Sequence, residues 1–302
     1  MNISFNLLLE SFFAYHVLRE DSQMTYKKII HYFVESNQKL SPENITTNDV
    51  IEWRKRVLAK IKPVSWNTYA RHLHALISFG IKQKILKRTD NPFSKVQIKS
   101  DNKSIKYLNS YQITQLEIFM KECHLNKKLK FIKPIWFFIT IVKSFQYTGM
   151  RKRQLLNLKI QDIKINEGII FIDGIYNKNH KSHQIPISSK LKPHLLELID
   201  KHRELSSSIE DQLFNINCFK YQKTQVRKMS VYQIDAIFRY LSKNVDFKVS
   251  PHRFRHTVAT TILKNSNNIY MAQKILGHQS IRTTMQYIEH DIELLRNGIE
   301  MI

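Results

Sequence analysis

The chain has 302 residues, with 48 Lys and Arg against 25 Asp and Glu, for a formal net charge of +23 with histidine neutral. That length suggests about two domains of roughly 100–200 residues each, and a composition of 42% hydrophobic and 24% charged residues excludes a disordered chain. Two cysteines, Cys123 and Cys218, exclude a disulfide framework and a Cys-rich zinc site, and fit a reducing compartment.

No apolar run reaches the roughly 18 residues of a membrane helix. The longest, Ile132 to Val142, is broken by Lys133 and Thr140, and Met1 to Phe13 lacks the basic start of a signal peptide. The expectation is a soluble cytoplasmic, nucleoid-associated protein. The positive charge is spread over the chain: residues 1–95 carry 15 basic and 8 acidic residues, net +7, and residues 96–302 carry 33 and 17, net +16. Both halves are therefore suited to one polyanion. Nucleic acid leads over an anionic membrane surface, because no strongly basic amphipathic helix is present.

In chain order, Asn6 to Arg19, Met24 to Ser36, Asn48 to Lys60 and Asn67 to Ile85 carry apolar residues at helical spacing. Thr47 and Ser65 are candidate N-caps, and Pro42 and Pro63 fall between helices. These elements predict a helical domain over residues 1–94. A basic segment, 95–107, with Lys95, Lys99, Lys103 and Lys106 against Asp101, reads as an exposed linker, of the kind that lets two basic domains close around a duplex. A second domain, 108–302, follows. It begins with helices at Ser110 to Cys123, Pro134 to Tyr147 and Arg151 to Leu158. A strand at Ile169 to Ile175, a basic turn at Asn177 to His180 and a strand at Gln184 to Ile187 form a hairpin. Helices then follow at Lys190 to Leu205, Val231 to Ser242, His252 to Lys264, Ile269 to Leu276, Ile281 to Ile288 and Ile292 to Ile299. The fold class is mainly α, with a small β-hairpin or sheet in the second domain.

The usual catalytic patterns are missing. There is no Gly-rich phosphate loop, no H-E-x-x-H, no Cys-x-x-Cys and no acidic cluster of the two-metal kind. Chemistry on a phosphodiester would then meet the developing charge with Arg, Lys and His. The segment P-H-R-F-R-H-T-V-A-T-T, Pro251 to Thr261, places His252 and Arg255 on one helical face, where a planar guanidinium fork beside an imidazole suits an oxyanion. His252 and His256 are four apart, but a metal pair would need a third ligand and none is near. His256 reads instead as a packed helix residue with its ring satisfied. In I-L-G-H-Q-S-I-R-T-T-M-Q-Y, Gly277 reads as a helix C-cap, His278 follows at once, and Tyr287 stands nine residues later.

These strings resemble the C-terminal motifs of the tyrosine site-specific recombinases, or phage-type integrases. T-G-M-R-K-R-Q-L-L-N-L, Thr148 to Leu158, is similar to the motif that supplies the family's first arginine, here Arg151. N-K-N-H-K-S-H-Q-I-P, Asn177 to Pro186, is similar to its lysine hairpin, whose catalytic lysine stands eight residues before a proline, which selects Lys178 over Lys181. S-W-N-T-Y-A-R-H-L-H-A-L followed by N-P-F resembles the last helix of the family's core-binding domain. The likeness spans nearly the whole chain, with four motifs in order. Because the first helices begin almost at residue 1, it implies the simple, Xer-like two-domain form without a separate arm-binding domain.

The resemblance implies that Tyr287 is the nucleophile, that Arg151, Arg255, His252 and His278 hold the scissile phosphate, and that Lys178 protonates the leaving 5′ oxygen, with no metal or cofactor. One departure is Gln154, three residues after Arg151, where the family usually carries an acid that orients the arginine. The implied partner is double-stranded DNA bearing specific sites, cut and rejoined through a 3′-phosphotyrosine by a homotetramer on two sites, with the Ile292 to Ile299 helix docked on a neighbouring protomer and accessory proteins as further candidate partners. Candidate DNA contacts are Arg71 and His74 on the fourth helix, Lys99 and Lys103 in the linker, and Arg227 and Lys228. The competing expectation is a catalytically weak or non-catalytic DNA-binding protein of the same fold.

Overall fold

The structure is a computed structural model, described over residues 3–99, 106–125, 133–176, 181–221, 227–266, 268–289 and 300. It divides into two compact units, Met1–Lys103 and Ser104–Ile302. Among the described residues no helix is long and apolar enough to cross a membrane.

The first unit is four helices, α1 (Phe5–Tyr15), α2 (Glu20–Ser36), α3 (Thr47–Leu58) and α4 (Pro63–Lys82). Their apolar stripes meet around large rings. Phe33 packs edge-on against Trp53 at 4.8 Å between centroids and against Phe5 at 4.9 Å, and Trp53 meets Trp66 at 5.3 Å. Edge-to-face pairs at these separations add to the burial of large apolar surfaces. Helix boundaries shift where capping chemistry outranks apolar spacing. The N-cap of α3 is Thr46 and not Thr47, because Thr46 and Asp49 form a reciprocal capping box, Asp49 N donating to Thr46 Oγ1 at 3.2 Å and Thr46 N to Asp49 Oδ2 at 2.8 Å. Ser65 caps nothing: α4 starts earlier, with Pro63 in its first turn, where the ring's fixed φ and missing N–H suit a helix.

The segment after α4 is not wholly an exposed linker. Val96 is buried, and its carbonyl accepts from Trp66 Nε1 at 3.0 Å and from Arg54 Nη1 at 3.2 Å. Asn67 then exchanges two hydrogen bonds with the backbone of Ile98, at 2.8 and 3.0 Å. The first unit therefore extends past residue 94, because Val96 and Ile98 supply apolar surface between the lysines that composition emphasised. Lys99 is exposed, and Lys103 lies outside the described residues.

The second unit holds α5 (Ser110–Leu125), α6 (Ile135–Thr148), α7 (Lys152–Asn157), β1 (Ile163–Lys164), β2 (Ile169–Ile172), β3 (His183–Pro186), α8 (Lys192–Glu204), α9 (Ile216–Tyr221), α10 (Val231–Asn244), α11 (Pro251–Ser266), α12 (Ile269–Leu276) and α13 (Ile281–Glu289). The strands form one antiparallel sheet in the order β1-β2-β3, with Ile170 opposite both Ile163 and Ile185, and Ile172 opposite His183. The expected hairpin is thus a three-stranded sheet. β1 and α9 are too short to give a readable period. Phe137 and Phe145 on α6, Phe214 and Phe254 fill the main core. A smaller cluster, Ala259, Leu263, Ala272, Leu276 and Tyr287, joins α11, α12 and α13. The hairpin turn with Lys178 and the helix expected at Ile292 to Ile299 lie outside the described residues.

Phe33 is fully buried at the centre of the first unit. Phe33→Ala should lower stability by about 3–5 kcal/mol, the usual cost of an aromatic truncation that leaves a cavity. Urea unfolding followed by tryptophan fluorescence would read it, since Trp53 touches the deleted ring. An unchanged midpoint would contradict this packing.

Candidate active site

Two helices end at left-handed glycines, and the site is built on these ends. Helix α6 closes at Gly149, with φ of 60°, and α12 closes at Gly277, with φ of 62°. A Cβ at either position would be strained by φ and would also meet neighbours: at Gly149, Leu276 Cδ2 at 3.0 Å and Val258 Cβ at 3.1 Å, and at Gly277 the ring of His183 at 2.9 Å. Between the two ends lies Arg255 of α11, only 5% exposed. Its Nη1 donates to Gly149 O at 2.9 Å and its Nη2 to Leu276 O at 2.7 Å. These are terminal carbonyls at the negative ends of helix dipoles, natural acceptors for a buried cation. Burial, then the charge of Arg151, lower the Arg255 pKa to about 10, so it stays protonated at neutral pH; Tyr287 acts the other way.

Arg151 follows Gly149 by two residues and is the N-cap of α7. Its guanidinium is half-buried, and burial pulls its pKa down against an opposing contribution from Tyr287. Gln154 is buried and accepts the Arg151 backbone N–H at 2.6 Å. That amide therefore serves the helix start.

On α13, Thr284 and Tyr287 are three residues apart, so they share the buried face of that helix. Tyr287 is 6% exposed, and burial raises its phenol pKa while Arg255 and Arg151 pull it down. His278 lies beside it: the rings stack at 6.3 Å with 6° between planes, and His278 Nδ1 is hydrogen-bonded to Thr284 Oγ1 at 2.9 Å. Burial and then the two arginines hold the His278 pKa at about 3.

The structure thus brings Arg151, Arg255, His278 and Tyr287 together. His252 stands on the same helix, exposed, with its ring stacked on that of His256 at 6.2 Å. Lys178 lies outside the described residues. Two further residues belong to the site. His256, read from sequence as a packed helix residue, meets the Tyr287 hydroxyl through Nδ1 at 3.1 Å. His183 on β3 packs against Gly277, and burial, Arg151 and Arg255 lower its pKa to about 4. The alternation of side chains along a strand places His183 on the face of the buried Ile185, a signal hidden when the strand is started at Gln184. Arg71 is exposed on α4 and His74 half-buried there, while Arg227 and Lys228 are exposed on the second unit. Among the described residues no group of three or more His, Cys, Asp or Glu could hold a metal ion.

His183, His256 and His278 have folded pKa values of about 4, 4 and 3, against 6.5 ordinarily. The unfolded chain therefore takes up protons below pH 6.5 that the folded site refuses. Stability is whole above that pH and falls as pH drops toward about 4. His183→Gln and His278→Gln should each flatten the decline of the urea midpoint across this window. Slopes identical to wild type would show that these rings titrate normally. Gly277→Ala should cost at least about 1–2 kcal/mol from the left-handed backbone alone, read as a lower melting temperature, with further loss from displacing His183.

The phage integrase family model matches residues 106–293. Two proteins described as putative tyrosine recombinase XerC, from Pseudomonas syringae and Pseudomonas aeruginosa, are each 30% identical over 96% of this chain. The chain spans 62% of the length of the first and 69% of the second. The solved structure of the Tn1549 transposon integrase in complex with a circular intermediate DNA aligns over 99% of this chain and 100% of that one, with a TM-score of 0.77 at 18% identity, a likeness of fold. With the family match covering the unit that holds the arginines and the tyrosine, the chain belongs to the phage integrase family of tyrosine recombinases.

Proposed function

We propose that the chain is a site-specific recombinase that cuts and rejoins DNA through Tyr287. The observation that carries this reading is the phenol buried within the fields of two guanidiniums, which is where a phosphate under attack by that phenol would sit. Arg151 and Arg255 bind the non-bridging oxygens and stabilise the charge added in the pentacoordinate state. Arg255 gives two of its five N–H donors to helix carbonyls and keeps the rest of its fork for phosphate. His278 and His252 add donors around the same oxygens.

Tyr287 attacks phosphorus, the P–O5′ bond breaks, and Lys178 protonates the leaving 5′ oxygen. The product is a 3′-phosphotyrosine and a free 5′ hydroxyl. The ester retains the energy of the broken phosphodiester, so a 5′ hydroxyl from another strand reverses the step without ATP. Exchange of two strand pairs between two duplexes needs four nucleophiles, hence a homotetramer on two sites. The segment 292–299 carries Leu294, Leu295 and Ile299 at helical spacing and is assigned to contact between protomers. The N-terminal helical unit and the basic segment after it serve as a core DNA-binding domain and linker, with the 108–302 portion catalytic. Arg71, His74, Lys99, Lys103, Arg227 and Lys228 are the proposed DNA contacts, positioning the duplex through phosphates and base edges.

The test is a nicked suicide duplex carrying the genomic sequence that the purified protein protects. Wild type should form a covalent complex stable to detergent, with or without a chelator. Tyr287→Phe should bind the duplex and trap none, and Arg151→Ala should trap about 10²–10³-fold more slowly, the usual loss for a transition-state donor. Equal trapping by wild type and Tyr287→Phe would refute the assignment.

A further inference from the structure

We propose that His256 is the general base of the cleavage step, taking the Tyr287 proton on Nδ1 as the phenol oxygen attacks phosphorus. The proposal rests on Tyr287 being the nucleophile and adds where its proton goes.

Among the described residues, the hydrogen bond of the Tyr287 hydroxyl is the one to His256 Nδ1, at 3.1 Å. That is within the reach required of a base for the proton it removes. The other groups whose charge bears on the phenol are Arg151 and Arg255, and a guanidinium carries no lone pair to accept a proton. His278 has its Nδ1 engaged by Thr284. The two rings meet at a fixed angle, centroids 5.4 Å apart and planes 54° apart, which points the imidazole edge at the oxygen. His256 occupies the position directly after Arg255 on α11, so the side chain that holds phosphate and the one that takes the proton are set by a single helical turn.

The electrostatics give this base a condition. Burial first, then His252, Arg255 and Arg253, hold the free His256 at a pKa of about 4, so without DNA it is a neutral acceptor and Tyr287 keeps its proton. A phosphodiester between the guanidiniums adds one negative charge and the pentacoordinate state adds another, directly opposing the arginine that depresses the imidazole. Proton affinity at Nδ1 then rises together with the charge on phosphorus. In the forward step the Tyr287 O–P bond forms, the P–O5′ bond breaks, the phenol proton moves to His256, and the 5′ oxygen is protonated from the Lys178 side. In the reverse step the His256 imidazolium returns that proton to the departing phenolate, so the atoms and charges balance in both directions.

The experiment measures single-turnover cleavage on the nicked suicide duplex, and on the same duplex with a 5′-bridging phosphorothiolate, whose thiolate leaves without protonation. His256→Ala should bind DNA as wild type does and cleave about 10²–10⁴-fold more slowly on both duplexes, the range expected for a lost base. Added imidazole should restore part of the rate. His256→Asn, which keeps an acceptor oxygen of similar reach but takes up no proton, should stay as slow as His256→Ala. Cleavage by His256→Ala at the wild-type rate would overturn the proposal. So would a defect cured by the phosphorothiolate, which would place His256 on the leaving-group side, or full activity in His256→Asn, which would make it only a positioning residue. If Tyr287→Phe still traps DNA, the nucleophile itself is misassigned; if Tyr287→Phe is dead while His256→Ala is unimpaired, the base assignment alone fails.

Discussion

The site depends on one buried guanidinium held between two helix ends. Removing a charge from water costs several kcal/mol unless partners are well placed. For Arg255 those partners are the carbonyls of Gly149 and Leu276. Each belongs to the last turn of a helix, where the backbone has orphan acceptors and the dipole is negative. Left-handed glycines at both ends turn the following chain away and leave these carbonyls open to Arg255. The pairing joins α6, α11 and α12, and the other site residues are spaced from its joints: Arg151 two residues beyond one glycine, and His278 directly beyond the other.

A second constraint follows from the first. Among the described residues, no carboxylate contributes to the shifted pKa of Arg151, Arg255, His183, His256 or His278. Among the described residues the cage is therefore cationic, and His183, His256 and His278 are kept neutral by burial and by the arginines. An anion entering it is attracted and also raises the proton affinity of every imidazole around it. In the proposed reaction, binding and proton transfer are then coupled through the same charges, and burial keeps the phenol protonated before an anion arrives.

Much of this was legible in the sequence. Periodicity and end signals located the helices around Thr148 to Leu158, Pro251 to Thr261 and Ile275 to Tyr287, and the resemblance of these strings to the family's motifs singled out Arg151 and Tyr287 within them. What the sequence did not expose depends on contacts between distant segments. Nothing local to His256 says that a tyrosine 31 residues later will reach its Nδ1. His183 becomes part of the site only because β3 packs on the C-terminal glycine of α12. Val96 was hidden among lysines, and its burial depends on Arg54 and Trp66, which approach from α3 and α4.

Gln154 shows how one neutral side chain fits this electrostatic plan. It is 2% exposed and accepts the backbone N–H of Arg151, a task that glutamate would do equally well. A carboxylate buried there would also carry a full negative charge beside a half-buried guanidinium. It would hold Arg151 more firmly and would neutralise part of the field that draws phosphate. Glutamine keeps the backbone cap and leaves the whole positive charge of Arg151 to the incoming anion, so orientation of that arginine falls more heavily on packing and on the phosphate itself. Among the described residues the Arg255 guanidinium is held by two helix carbonyls, and the neutral amide at Gln154 leaves the charge of Arg151, like that of Arg255, for the anion that the proposed reaction brings in.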